Sequence, residues 1–239
     1  MDIEQEKQYF KDYAKLSGFK TKVEKAKETI KTALAIDKAY IGISWGKDSI
    51  VLLHLCQQIQ PDILAICYSS IEQEYVANYA ETISRYCKAF TPNYLDIKAK
   101  EGNAETNDTV KDRISAVIDY PVAFVGLRAE ESKPRFITLK KYGLIHQYTS
   151  GKYKGQYRIA PLAWWTWQDI WAYIFSNDLP YLDLYDKIDR QWGRTTAHAK
   201  YFYSSNKDTR WQKTSLETMK AVNPVLYNYL IYNVPEAFT

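Results

Sequence analysis

Between residues 39 and 55 a short β-rich run, AYIGIS, meets the turn Trp45-Gly46-Lys47-Asp48-Ser49. The chain then passes directly into an apolar helical stretch carrying Ile50, Val51, Leu52, Leu53 and Leu55. A strand that turns at once into a helix is the first half of a crossover unit, and the order recurs along the chain. Residues 63–68 (ILAICY) read as a second strand, and 75–86 as a helix through Val76, Tyr79, Ala80 and Ile83. Residues 93–97 read as a third strand, 98–107 as a polar loop and 110–118 as a short helix. Residues 120–126 (YPVAFVG) form a fourth strand, followed by a helix over 130–142. A hairpin tip at 151–155 feeds 156–160, a fifth or edge strand. Parallel strands need crossover helices, so this alternation predicts an α/β, doubly wound, mostly parallel five-stranded sheet with helices on both faces, Rossmann-like.

Two flanks complete the expected organisation. Residues 1–38 form an N-terminal helical segment, in which Val23, Ala26, Ile30, Ala33 and Leu34 mark an amphipathic helix over 20–36. Residues 39–186 form the nucleotide-binding α/β domain, whose last helix, 166–175, has Thr166 as its N-cap. Residues 187–239 form a helical C-terminal extension with a second helix over 214–230. A chain of 239 residues buries roughly 70 to 75% of its unfolded surface, enough for a substantial core. No window approaches the 18 or so consecutive apolar residues of a membrane span, and MDIEQEKQYFKDYAK lacks the apolar centre of a signal peptide. The expected location is therefore cytoplasmic, with no membrane partner. Cys56, Cys67 and Cys87 are an odd set with no CxxC pair, so they supply neither a disulfide framework nor a four-ligand metal site.

The turn at 44–49 carries the sharpest chemical signal. At the carboxyl end of a strand in a doubly wound sheet, the following helix offers unpaired N–H groups and a positive dipole end, and anions bind there. Gly46 permits close backbone approach, Ser44 and Ser49 supply hydroxyls, and Lys47 is a point charge suited to phosphate. Asp48 beside phosphates makes sense as a ligand for Mg²⁺. The pattern is not a Walker loop, because GxxxxGK[ST] is absent. The plain alternative is a turn in which Asp48 or Ser49 only caps the helix.

SWGKDS resembles the SGGKDS pyrophosphate loop of the phosphoadenylylsulfate reductase family, within the ATP pyrophosphatase group of enzymes. Two further segments agree in order and spacing. Gly126-Leu127-Arg128-Ala129-Glu130-Glu131-Ser132, with Arg135 following, resembles the family's G-x-R-x-x-E-S. Pro161-Leu162, Trp165-Thr166, Asp169-Ile170-Trp171 and Tyr173-Ile174, then Leu179-Pro180-Tyr181 and Leu184-Tyr185-Asp186, resemble its P-L-x-x-W-T-x-x-D-[VI]-W-x-Y … L-P-Y-x-x-L-Y-D. The resemblance implies an adenine nucleotide, ATP or a sulfonucleotide, with phosphates on Ser44, Gly46, Lys47, Asp48 and Ser49. Trp45 and Gly126 line the same cradle in this reading. Tyr68 and Ser69 stand where the family places its adenosine pocket, although ICYSSIEQEY has no D-T-G opening. Arg128 and Arg135 face the phosphate or sulfate end, where forked guanidinium groups suit oxyanions. Their alternative is ion pairing with Glu130, Glu131 or Asp169. The assigned catalytic set is Lys47, Asp48, Arg128 and Arg135. Trp165, Trp171 and Tyr173 recur at helical spacing and are read as core.

Two departures qualify the implied chemistry. Trp45 replaces the loop's first glycine, so either the backbone there needs no positive φ or the loop has another shape; the indole could also cover the nucleotide. The second departure is the missing nucleophile. Where related sequences carry G-C-x-x-C, this one reads Trp192-Gly193-Arg194-Thr195-Thr196-Ala197-His198, and no cysteine follows Cys87. A thiolate is the attacking group in the reductase reaction, so reduction is disfavoured, and an iron–sulfur cluster, which needs four thiolates or close equivalents, more so. Arg190, Arg194, His198, Lys200, Lys207 and Arg210, interleaved with Trp192, Tyr201 and Trp211, form a basic segment. It reads as a lid or a surface for a second anionic substrate, as a solvated helical face, or, in a non-catalytic binding module, as a surface for nucleic acid. The formal charge of +4 is read as a local seat for a small anion built from Lys47, Arg128 and Arg135.

Overall fold

The structure, a computed structural model, describes residues 2–69, 81, 85, 93–98, 107–186, 220 and 224–233. All of the expected helix at 75–86 but Glu81 and Arg85, which are helical, together with Ser70, Cys87, most of the helix at 214–230 and the whole basic segment from Arg190 to Arg210, lie outside the described residues.

Six strands form one sheet in the order β3-β2-β1-β4-β6-β5. They are β1 (Ala39–Ile43), β2 (Leu64–Ser69), β3 (Tyr94–Lys98), β4 (Val122–Val125), β5 (Ile145–Gln147) and β6 (Tyr157–Ile159). All neighbours pair in parallel except β5 with β6. The doubly wound class is as expected, with one strand more. Leu144 to Gln147 was too short a run to register as a strand, and it gains its pairing only from the hairpin whose loop carries Gly151 and Gly155, both at positive φ. β6 is consequently interior, between β4 and β5, and not an edge.

Seven α-helices are delimited among the described residues: α1 (Ile3–Tyr13), α2 (Ser17–Leu34), α3 (Lys47–Gln57), α4 (Asn107–Val117), α5 (Lys133–Tyr142), α6 (Trp167–Ser176) and α7 (Pro224–Asn233). One face of the sheet is covered by a core in which Ile30 and Ala33 of α2, Ile50 to Leu53 of α3 and Ile170 to Ile174 of α6 pack on Ile41, Ile43 and Phe124. The other face is covered by Ile114 and Val110 of α4 over Tyr40 and Ile66. Because β1 and β2 are buried on both faces, they read as continuous apolar runs and not as alternation.

Asp2 caps α1 reciprocally with Gln5. That helix lies within the helical segment expected over 1–38, where only the stretch at 20–36 shows a period in the sequence, because the single buried residue of α1, Phe10, sets none. Phe10 nonetheless joins the main core through Trp167 and Phe175 of α6. Asp169, fully buried, caps α6 at Thr166 and accepts from Lys22 Nζ at 2.5 Å and Tyr13 Oη at 3.1 Å. The carboxylate offered as an arginine partner therefore serves α2 and α1 instead. The helix expected over 130–142 divides at Ser132. Residues Ala129–Glu131 make one 3-10 turn, and the Ser132 hydroxyl, accepting from the Arg135 amide, starts α5 with Pro134 in its first turn.

Candidate functional site

The strand order reverses at β1, with β2 on one side and β4 on the other, so the crevice at the carboxyl ends of β1 and β4 is the topological switch point. Two turns meet there. The turn after β1 leads into α3, whose N-cap is Gly46, and the turn after β4 carries Gly126 to Arg128. A methyl group at Gly126 would stand 3.3 Å from the Asp48 carbonyl carbon and 3.4 Å from the Ser49 amide nitrogen. Gly126 is what lets the two turns approach.

Within the first turn the hydroxyls have defined tasks. Ser49 Oγ donates to the Gly46 carbonyl at 2.9 Å and accepts the Ser44 amide at 3.2 Å, closing the loop on itself. Ser44 is exposed at the mouth, its hydroxyl 3.5 Å from that of Ser49. Trp45 settles both open questions about the loop. Its φ is 58°, the left-handed conformation that glycine adopts freely, so the backbone does require positive φ. Its indole is fully buried against Tyr94, with ring centroids 5.6 Å apart. The side chain turns into the core and does not cover the crevice; strain in the backbone is offset by burial of the ring.

The charged groups form one connected set. Arg128, 2% exposed, donates from Nε to Asp48 Oδ1 and from Nη1 to Glu130 Oε2, each at 2.5 Å. Lys47 Nζ lies 3.4 Å from Asp48 Oδ2. Burial raises the Asp48 pKa, but Lys47 and Arg128 together outweigh it and hold the carboxyl below its ordinary value. Burial opposes the charge on Lys47 and Arg128 as well, and the facing carboxylate, Asp48 first, holds both pKa values above the ordinary ones. Glu131 accepts the Arg128 amide at 3.1 Å and is ion-paired with Arg135. Glu130 also accepts the Trp167 amide at 2.7 Å, which places a carboxylate on the positive end of α6. The three segments singled out in the sequence are thus joined in one line, from Asp48 through Arg128 and Glu130 to the start of α6.

The structure brings Lys47, Asp48, Ser49, Gly126 and Arg128 together. Arg135 stands one step outside, tied to Glu131. Lys47, Arg128 and Arg135 face three carboxylates, so the cations expected to make a positive seat are locally balanced. Tyr68 and Ser69 end β2, in register with Ile97 and Lys98 on β3. Tyr185 was passed over as a site residue. It accepts the Lys47 amide at 3.2 Å, and the Lys47 ammonium lies 5.3 Å from its ring centroid. The only signal for it was its place in the L-Y-D triplet. Trp165, Trp171 and Tyr173 are buried in the core, as their spacing indicated.

Cys56 and Cys67 are both free and fully buried. Burial pushes the Cys56 thiol well up, away from the thiolate. Among the described residues no group of three or more His, Cys, Asp or Glu side chains is placed to hold a metal ion, and no helix is long and apolar enough to cross a membrane.

A doubly wound sheet with a strand-to-helix turn and a lysine at its switch point defines an α/β protein of the class that takes its ligand in that crevice. Residues 38–205 match the phosphoadenosine phosphosulfate reductase domain, and the chain belongs to that family. It is 27% identical over 169 residues to an adenosine 5'-phosphosulfate reductase of Bacillus cereus, covering 63% of this chain and 68% of that protein. A phosphoadenylyl-sulfate reductase from Candida auris, solved with phosphate, superposes with a TM-score of 0.53 at 19% identity, over 78% of this chain and 92% of that one. The FMN adenylyltransferase of Candida glabrata, solved with ATP, superposes with a TM-score of 0.55 at 16% identity, over 76% and 65%. At these identities the two superpositions establish the fold.

Proposed function

We propose that this protein is an adenine-nucleotide enzyme that cleaves ATP between its α- and β-phosphates and transfers the adenylyl group to an acceptor. In this reaction an acceptor oxygen attacks the α-phosphorus, the bond to the bridging oxygen breaks, and pyrophosphate leaves with the electron pair. The observation that carries the reading is a conjunction. Lys47, Asp48 and Arg128 meet at the switch point, while both thiols among the described residues are sealed in the core. Lys47 would meet pyrophosphate charge with its ammonium, and Arg128 would meet charge developing at the α-phosphoryl oxygens.

The donor set suits a Mg²⁺ carried in by phosphates rather than one caged by protein. Asp48 is one carboxylate held ionised, and Mg²⁺ commonly takes one or two carboxylates plus substrate phosphates. The local balance of charge points the same way, since a polyphosphate entering a neutral cluster needs its own counter-charge. When bound, the ion would supply charge neutralisation to the leaving pyrophosphate.

The test is pyrophosphate release from ATP with Mg²⁺ across a panel of acceptors, with Lys47→Ala as control. That control should weaken nucleotide binding by about 1.5 to 3 kcal/mol, the usual worth of a hydrogen bond to a charged group. Absence of release across the panel would refute adenylyl transfer. The names of the curated relatives favour a second reading, a sulfonucleotide substrate reduced by a thiol. It is tested by sulfite release from adenylylsulfate and phosphoadenylylsulfate with Cys56, Cys67 and Cys87 all replaced by serine. Activity that survives in that variant excludes a protein thiolate.

A further inference from the structure

We propose that Tyr185 is a positioning residue for Lys47, acting on the anion seat through that lysine and not through the ligand. The inference rests on the nucleotide reading of the seat. Tyr185 reaches the seat from 138 residues away in sequence, out of the 3-10 turn Asp183–Asp186. It makes two separate contacts with one residue. Its hydroxyl accepts the Lys47 amide at 3.2 Å, which withdraws the first helical N–H of α3 from any incoming anion. Its ring stands 5.3 Å from the Lys47 ammonium, within range of a cation–π attraction.

The ring is itself fixed. Tyr185 is 2% exposed and packs edge-on against Trp171 of α6, with centroids 5.2 Å apart and planes at 78°. Lys47 is 5% exposed, so its four-carbon stem has little room to change rotamer, and Asp48 and the Tyr185 ring both stand beside its ammonium. A lysine held ready in this way binds phosphate without first losing rotamer freedom, which favours affinity through pre-organisation. With its amide taken by the hydroxyl, the ammonium is the group through which Lys47 meets a ligand.

A double-mutant cycle on the full chain separates positioning from plain structure. Binding of pyrophosphate and of ATP, each with Mg²⁺, is measured by calorimetry for wild type, Tyr185→Leu, Lys47→Ala and the double variant. Tyr185→Leu should weaken binding about tenfold in the wild-type background and less than about twofold beside Lys47→Ala, because its effect passes through the lysine. Equal losses in both backgrounds would overturn the proposal. Should Tyr185→Leu fail to fold, Tyr185→Phe and its mono-, di- and trifluorinated ring analogues keep the shape against Trp171 while weakening the ring's attraction for a cation. Affinity should then fall with each fluorine, and a flat series would equally overturn the proposal. A wild-type protein that binds neither pyrophosphate nor ATP would instead refute the nucleotide reading itself, independently of the Tyr185 series.

Discussion

Arg128 Nε donates to Asp48 Oδ1 at 2.5 Å across 80 residues of sequence, and the same guanidinium grips Glu130 at 2.5 Å. One buried arginine thereby ties the turn after β1 to the turn after β4 and, through the Glu130 carboxylate on the Trp167 amide, to the start of α6. The pair is a structural bolt at rest, and any role it takes toward a ligand begins from that engaged state.

Removing the bolt should be costly. Arg128→Met takes the nearest cation from Asp48, which keeps only Lys47 at 3.4 Å, and from the exposed Glu130, and the expected loss is about 1.5 to 3 kcal/mol of unfolding free energy, the worth of hydrogen bonds to charged groups. Urea denaturation checks it. Arg128→Lys should recover only a minor part, because a single ammonium cannot serve two carboxylates with the planar fork of a guanidinium.

The acid limb of stability should carry the mark of Asp48. Its folded pKa lies below the ordinary 3.8, so its contribution is complete above that value and disappears as pH falls through the lower folded one. Asp48→Asn should be less stable than wild type near neutrality, and the gap between the two should close as the pH is taken below about 4. The urea midpoint against pH measures this; a gap that stays constant into acid would show that the carboxylate's charge contributes nothing.

At Trp45 the usual order of glycine and alanine should invert. Both substitutions forfeit the buried indole, at about 3 to 5 kcal/mol. Alanine keeps a Cβ at φ 58°, whereas glycine adopts that conformation freely. Trp45→Gly should therefore exceed Trp45→Ala in stability by about 1 kcal/mol, the cost of a left-handed L-residue. Thermal unfolding of the two variants decides it.

Gly126→Ala should act on the seat more than on the fold. The added methyl at 3.3 Å from the Asp48 carbonyl carbon must push the first turn of α3 by a few tenths of an ångström. We expect a destabilisation of about 1 to 2 kcal/mol, in the range of modest overpacking, together with a larger proportional loss in nucleotide affinity. Calorimetry alongside thermal unfolding separates the two effects.

Native-state alkylation should spare Cys56 and Cys67. Both are fully buried and burial raises the Cys56 pKa, so labelling at these positions should follow unfolding and should accelerate with urea. Rapid labelling of either in the absence of denaturant would show that the core opens near α3 and β2.

Local patterns in the chain were enough to read β1 to β4, the turn at 44–49 and the Thr166 cap. Each depends on the period of a few adjacent residues or on the chemistry of one turn. The order of motifs was likewise enough to indicate the family. What the sequence could not decide is which charges face which. Arg128 had Glu130, Glu131 and Asp169 as possible partners, yet its pairs are Asp48 and Glu130, because the switch point sets β4 beside β1, while Asp169 is taken by Lys22. The direction of the Trp45 indole and the contact of Tyr185 with Lys47 were equally hidden, since both follow from packing between segments far apart in sequence. The sequence by itself determined a nucleotide-type turn between a strand and a helix; only the tertiary structure decided that its lysine and aspartate are held by an arginine and a tyrosine from two other segments, because burial demands a partner for every charge and folding brings that partner within reach.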